Sequence, residues 1–197
     1  EGLFRSDNNF ESFSFVQTGN SWEYNQDYDY IEFHPTDENT IYASTFNNDS
    51  QIYVSSDKGQ SFVQSGTIPG NGSNIQLSVS AACENCVFVG SSDGVWKSDN
   101  TADTFTLLGN PNIANYGAFA VSDTDENYML FGDIDTHMSN DGGQTWNQVT
   151  YWATGNANYD TTGQYVHADI RGSRSYNGVF WVNTDGLLGK SVDNGIT

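Results

Sequence analysis

The octet Ser139-Asn140-Asp141-Gly142-Gly143-Gln144-Thr145-Trp146 decides the fold, because the chain repeats it. Its pattern is S-x-D-x-G-x-T-W. Ser55-Ser56-Asp57-Lys58-Gly59-Gln60-Ser61-Phe62 matches it, with Ser for Thr and Phe for Trp. Ser191-Val192-Asp193-Asn194-Gly195-Ile196-Thr197 matches as far as the chain runs. Two copies are degraded. Ser98 to Phe105 keeps Ser98, Thr104 and Phe105, with Asn100 and Ala102 at the Asp and Gly positions. Ser6 to Phe13 keeps Ser6, Ser12 and Phe13 around Asn8 and Phe10. The copies start at residues 6, 55, 98, 139 and 191, so the spacings are 49, 43, 41 and 52 residues.

A repeat of about 40–50 residues holds four short strands and their turns, which is one propeller blade. The strands read as short runs of β-branched and aromatic residues bounded by Gly, Asn and Asp. Tyr30–His34, Thr40–Ser44, Gln51–Ser55 and Ser61–Gln64 make one set. Ile75–Ser80, Val87–Ser91, Gly94–Ser98 and Phe105–Leu108 make the next, followed by Gly117–Ser122, Tyr128–Gly132, Thr136–Ser139 and Trp146–Thr150. A further set begins with Val166–Arg171, Val179–Asn183 and Leu187–Ser191. No capped segment has the 3.6-residue period of a helix. The sequence therefore predicts an all-β propeller of four-stranded antiparallel blades, with the repeated box between third and fourth strands. Blades are expected at about 30–65, 75–109 and 117–150, with partial blades at 1–19 and 165–197. The expectation is a fragment of a larger propeller, whose remaining blades are its first partner.

The box has a physical logic. Asp57, Asp141 and Asp193 accept bonds from the turn's own N–H groups. Gly59, Gly143 and Gly195 supply a positive φ. The hydroxyls of Ser55, Ser98, Ser139 and Ser191 tie the ends together, and Phe13, Phe62, Phe105 and Trp146 are expected to pack equivalently into successive blades.

Composition narrows the function. Six Lys and Arg against 25 Asp and Glu leave a net charge of −19. That field repels phosphate backbones and anionic lipid, which argues against nucleic acid, and no apolar run has the length of a membrane span. Aromatics at 14% separate the chain from disordered acidic tails. Cys83 and Cys86, in Cys83-Glu84-Asn85-Cys86, are too few for a four-thiolate zinc site. They read as a small disulfide or thiol pair at the turn between the first two strands of their blade. With the acidic composition, they point to an exported protein.

The boxes resemble the Asp-box (BNR) repeat family, which includes sialidases, xyloglucanase-type glycoside hydrolases, sortilin-type receptors and exported bacterial surface proteins. The resemblance implies a propeller and is poor for function. A sialidase fits badly: its substrate carboxylate meets three arginines, and this chain has only Arg5, Arg171 and Arg174, the first beside a box.

The face opposite the boxes is the place to look for function, because the turns between strands 2 and 3 and the connections between blades emerge there. Trp22, Tyr24, Tyr151 and Trp152 stand in those connections beside carboxylates, a combination that suits sugar rings. In Val166–Arg171, strand alternation places His167, Asp169 and Arg171 on one face, suited to an anion or to acid–base work. Asp133, Asp185 and Asp169 are the candidate catalytic carboxylates. Asp133, Asp135 and His137 also alternate and form a candidate set for a hard cation such as Ca²⁺, with no other cofactor indicated. The expected role is a binding or scaffolding module at or outside the cell surface, for a glycan or protein ligand. A xyloglucanase-like hydrolase and a sortilin-like peptide receptor are the alternatives.

Overall fold

The computed structural model describes residues 2–16, 28–45, 51–69, 75–113, 117–152 and 165–195. Among these residues there is no helix, and every strand pairing is antiparallel. A two-stranded ribbon, β1 (Phe4–Arg5) and β2 (Ser14–Phe15), comes first. The first blade contains β3 (Tyr28–Phe33), β4 (Ile41–Thr45), β5 (Gln51–Ser55) and β6 (Val63–Thr67). The second contains β7 (Gln76–Ser80), β8 (Cys83–Ser91), β9 (Gly94–Ser98) and β10 (Thr106–Gly109). The third contains β11 (Ala118–Val121), β12 (Met129–Gly132), β13 (Thr136–Ser139) and β14 (Asn147–Gln148). The fourth has three described strands, β15 (Ile170–Tyr176), β16 (Val179–Thr184) and β17 (Leu188–Ser191). The innermost strands follow one another around the centre, with β3 against β7, β7 against β11, and β11 against β15. The fold is a β-propeller.

The core is a series of apolar wedges, one between each pair of neighbours, because each sheet buries both faces. Leu3 and Val16 of the ribbon meet Ile41, Ala43, Tyr53 and Phe62 of the first blade. Tyr42, Ile52 and Ile68 of the first blade meet Ile75, Leu77, Val87 and Val89 of the second, with Phe105 against them. Phe88 and Val95 of the second meet Phe119, Val121, Met129 and Phe131 of the third, with Trp146 against them. Ala118, Ala120, Leu130 and Met138 of the third meet Ile170, Phe180 and Val182 of the fourth.

All five boxes share the same serine bonds, including the degraded ones: the first residue's hydroxyl donates to the third residue's side chain and accepts the fifth residue's N–H. In the first blade, Ser55 Oγ donates to Asp57 Oδ1 at 2.7 Å and accepts from the Gly59 N–H at 2.9 Å. The N–H groups of Gln60 and Ser61 donate to Asp57 Oδ1, and Ser61 Oγ donates to Oδ2 at 2.6 Å. Asp141 repeats this with Ser139, Gly143, Gln144 and Thr145. Ser191 donates to Asp193 and accepts from the Gly195 N–H, both at 2.7 Å. Where Asn replaces Asp, the final bond reverses: Asn100 Nδ2 donates to Thr104 Oγ1, and Asn8 Nδ2 to Ser12 Oγ, each at 2.9 Å. The fifth position holds positive φ in every copy, +76° at Gly59, +86° at Gly143, +82° at Gly195, +66° at Ala102 and +68° at Phe10. The turn tolerates a side chain there at a conformational cost.

Three expectations need correction. Phe13 is 59% exposed and meets Phe10, with ring centroids 5.8 Å apart, instead of packing like Phe62. A box aromatic fills the wedge between its blade and the preceding one, and no preceding blade lies among the described residues. Cys83 and Cys86 form a disulfide with Cα atoms 5.3 Å apart, but both lie in β8. The register shifts at Val79/Ser80 and pairs Ser80 with Cys83, so the sheet reaches back through both cysteines and leaves only Ala81 and Ala82 as the turn. Third, Val166–Arg171 is not a strand. Asp169 sits at φ +64°, β15 starts at Ile170, and its register slips between Ile170 and Gly172.

Candidate functional site

The junction of the third and fourth blades, on the face away from the boxes, gathers most of the predicted polar residues. The β12–β13 turn is built by Asp133, whose N–H donates to the Asp135 carbonyl at 2.9 Å. The Asp133 carbonyl accepts the Ile170 N–H at 2.8 Å, which fastens this turn to the residue after Asp169. That bond holds the fourth blade's entry beside the third blade's acidic turn, and it explains why the chain leaves the extended conformation at Asp169.

Asp135 fixes the connection that follows β14. Its Oδ1 accepts the Trp152 N–H at 2.8 Å and its Oδ2 accepts Gln148 Nε2 at 2.9 Å. Trp152 is thereby held at the surface with 45% of its area exposed. Burial pushes the Asp135 carboxyl above its ordinary value, and the neighbouring Asp133 charge pushes the same way, against the Trp152 bond. Asp133 Oδ1 is buried with no hydrogen bond among the described residues, as is His137 Nδ1. Burial lowers the His137 pKa against the pull of Asp133, which favours the neutral ring.

The expected trio is split by the loss of alternation. His167 Nδ1 lies 2.9 Å from Asp185 Oδ1, in the β16–β17 turn, and 3.2 Å from the Ala168 carbonyl. The ring rests on that turn at Gly186, where a Cβ would come within 2.7 Å of it. Thr184 Oγ1 shapes the turn by accepting the N–H groups of Gly186 and Leu187 at 3.0 Å each. Arg171 instead pairs with Asp169 at 3.6 Å, both largely exposed. The His167–Asp185 pairing was open to sequence reasoning only as two separate residues, since Asp185 is one of several turn aspartates and nothing in its spacing singles it out.

Asp133, Asp135 and His137 do not converge as a metal site. Among the described residues, the only three potential ligands within 4.8 Å of one another are Cys83, Cys86 and Glu126, and the two cysteines are joined as a disulfide. Alternation failed here because Asp133 and Asp135 belong to the turn and β13 begins only at Thr136. Trp22 and Tyr24 lie outside the described residues. Tyr151 is half-buried next to Trp152.

One ion pair escaped the sequence altogether. Arg174 of β15 donates twice to the Glu32 carboxylate of β3, at 2.9 and 2.8 Å, joining the innermost strands of the fourth and first blades.

No protein-family model matches the sequence, and no curated protein matches it. Solved structures do. The chain is similar to the GH74 enzyme of Niastella koreensis, with a TM-score of 0.64 and 19% identity, over 98% of this chain and 33% of that one. It is similar to the GH74 xyloglucanase of Xanthomonas campestris, with a TM-score of 0.61 and 14% identity, over 85% of this chain and 28% of that one. It also resembles YCF48 bound to D1 peptide, with a TM-score of 0.52 and 9% identity, over 87% of this chain and 65% of that one. At these identities the likeness establishes the propeller fold, and the chain spans only about a third of the first enzyme's length.

Proposed function

We propose that this is an exported Asp-box propeller that binds carbohydrate at the junction of its third and fourth blades. The observation that carries the reading is Trp152, a half-exposed indole whose backbone is bonded to Asp135 beside a second carboxylate, Asp133. A fixed aromatic plane stacks on the CH face of a sugar, and neighbouring carboxylates accept its hydroxyls. Arg171, Asp169, His167 and Asp185 supply further polar groups at the same blade junction, Tyr151 adjoins Trp152 in the chain, and Trp22 and Tyr24 are further candidates on sequence grounds alone. The uniform box turns support the Asp-box assignment, and the Cys83–Cys86 bridge supports an oxidising compartment.

The remainder of a larger propeller is its structural partner. Lys190 lies over the Trp181 ring at 5.7 Å on the fourth blade's open face. Lys97 lies over Phe88 at 5.6 Å at the same register, one residue from the box serine, and reaches Glu126 of the following blade at 2.9 Å. The repetition supports a further blade with an acidic first turn on the open face.

A hydrolase is the second reading. Asp135, with its raised pKa beside Asp133, is the pattern expected of a general acid next to a second carboxylate. The test is calorimetric titration with xyloglucan oligosaccharides, with reducing ends assayed in parallel. Trp152→Ala should weaken binding about 5- to 150-fold, the equivalent of one to three hydrogen-bond or stacking contributions. Affinity unchanged in both Trp152→Ala and Arg171→Ala would reject this face. Release of reducing ends that Asp135→Asn abolishes would replace the binding reading with the hydrolase.

A further inference from the structure

We infer that Cys83 and Cys86 form a thiol–disulfide exchange site that oxidises an accessible dithiol, with Cys83 as the sulfur attacked and Cys86 as the sulfur that leaves. The site stands beside the box of the second blade, on the face opposite Trp152, and is independent of carbohydrate binding. The two cysteines differ in access. Cys86 is 2% exposed, whereas Cys83 is half-buried and is followed by exposed Glu84 and Asn85. An incoming thiolate therefore reaches Cys83 Sγ first.

Residues from two blades bring charge to the buried sulfur. Cys86 Sγ lies 3.2 Å from Oδ1 of Asp99, the second residue of the box. In the bridged state this sulfur carries no proton. Once the bridge opens, its S–H donates to the same oxygen, so the acceptor for the leaving thiol is in place before the bond breaks. A carboxylate oxygen of Glu126, from the β11–β12 connection of the third blade, lies within 4.8 Å of both sulfurs. Lys97 binds both carboxylates, with Nζ 2.9 Å from Asp99 Oδ1 and 2.9 Å from Glu126 Oε2. Burial opposes the Lys97 charge, but the two carboxylates outweigh burial and raise its pKa. A lasting ammonium thus offsets the repulsion that Asp99 and Glu126 exert on a thiolate at Cys86. A bridge that only pinned the turn would need neither an acceptor at Cys86 nor a cation behind it.

The exchange balances in two displacements. A substrate thiolate attacks Cys83 Sγ, the Cys83–Cys86 bond breaks, and its electron pair leaves on Cys86 Sγ, which takes a proton from solvent and bonds to Asp99. The substrate's second thiolate then attacks the substrate sulfur of the mixed disulfide, and the electron pair leaves on Cys83 Sγ, which is protonated in turn. The substrate dithiol loses two electrons and two protons, and the cysteine pair gains them. A small-molecule disulfide of the glutathione type runs the same steps backwards and restores the bridge.

The test follows reduction of the oxidised chain by dithiothreitol, read by alkylation and mass spectrometry, beside the same chain unfolded in urea. The folded chain should react at least about tenfold faster, the low end for one hydrogen bond to a charged group. Asp99→Ala, at an exposed side chain, should remove that advantage and leave the urea midpoint unchanged. Lys97→Met should move the alkylation of Cys86 in the reduced chain to higher pH, a readout that a merely structural role would not move. Glutathione disulfide should cap Cys83 in the Cys86→Ser chain and leave Cys86 uncapped in the Cys83→Ser chain. A reduced peptide with two cysteines runs beside dithiothreitol: the faster partner assigns the substrate as polypeptide or small molecule, and failure with both overturns the activity. Equal rates for folded and unfolded chains, or for Asp99→Ala and the parent, would also overturn it. Zinc held by the reduced chain so as to block reoxidation by glutathione disulfide would make the cluster a metal site instead.

Discussion

The Glu32 carboxylate, 5% exposed on the innermost strand of the first blade, is held by both guanidinium nitrogens of Arg174, 142 residues later. The pair spans the propeller's centre between the first and last described blades. Glu32 and Arg174 occupy the same register, each opposite the large aromatic one residue from its blade's box serine partner, Tyr42 and Trp181. Burial raises the Glu32 pKa above 4.5 even though Arg174 pulls it down.

Arg174→Ala should therefore cost about 1–3 kcal/mol at neutral pH, since it leaves a buried carboxylate without its counter-charge. The pH dependence follows from the raised pKa. Below the ordinary 4.5 the carboxyl is protonated whether the chain is folded or not, and the penalty for its charge develops as pH rises through the folded value. Removing Arg174 enlarges that penalty. Urea unfolding at pH 7 and pH 4 checks it: the cost should shrink at pH 4, and an equal cost at both would contradict the assignment.

The boxes should govern stability in acid. Hydrogen bonds from Ser61 and Thr145 hold the carboxyls of Asp57 and Asp141 down at about 2, against an ordinary 3.8. Their contribution is complete above 3.8 and is lost as pH falls towards 2. The double change Asp57→Asn and Asp141→Asn should fold, as the Asn8 and Asn100 boxes do, and should flatten the loss of thermal midpoint between pH 4 and pH 2. Identical acid profiles for the parent and the double variant would refute this.

Trp146 is predicted to be the costliest box aromatic to remove. Its ring meets Phe131 edge-on at 6.0 Å and its indole N–H is bonded to the Gly143 carbonyl. Trp146→Ala should lower stability by about 3–5 kcal/mol in denaturant titration. Phe13→Ala, at an exposed ring, should cost less than about 1 kcal/mol. Comparable losses for the two would mean the wedges do not carry the stability.

The disulfide should matter little to global stability. Its loop is short, with a sequence separation of 3, so the chain-entropy model gives it about 2 kcal/mol at most. The Cys83→Ala, Cys86→Ala chain should unfold cooperatively within that margin of the parent. A loss beyond about 4 kcal/mol would show that the bridge anchors the second blade against the third, where Cys86 is buried.

Sequence alone determined the propeller, because its signal is local and periodic. Each box carries its own donors, acceptors and positive-φ positions, so the turn at Asp141 can be read without knowing what surrounds it. The same locality made Asn100 and Ala102 look like decay, when the tertiary structure keeps the serine bonds and the Thr104 N–H bond and reverses the donor of the side-chain bond between Asn100 and Thr104. What only the tertiary structure decided is which distant residues meet. Strand alternation predicts a shared face for His167, Asp169 and Arg171, but the bond from Ile170 to Asp133 competes with strand geometry, and His167 turns to Asp185 instead. Glu32 and Arg174 share no motif. Their pairing follows from the curvature that brings the fourth blade round to the first, and that curvature is set by the thickness of the wedges between blades, a property that no stretch of sequence contains by itself.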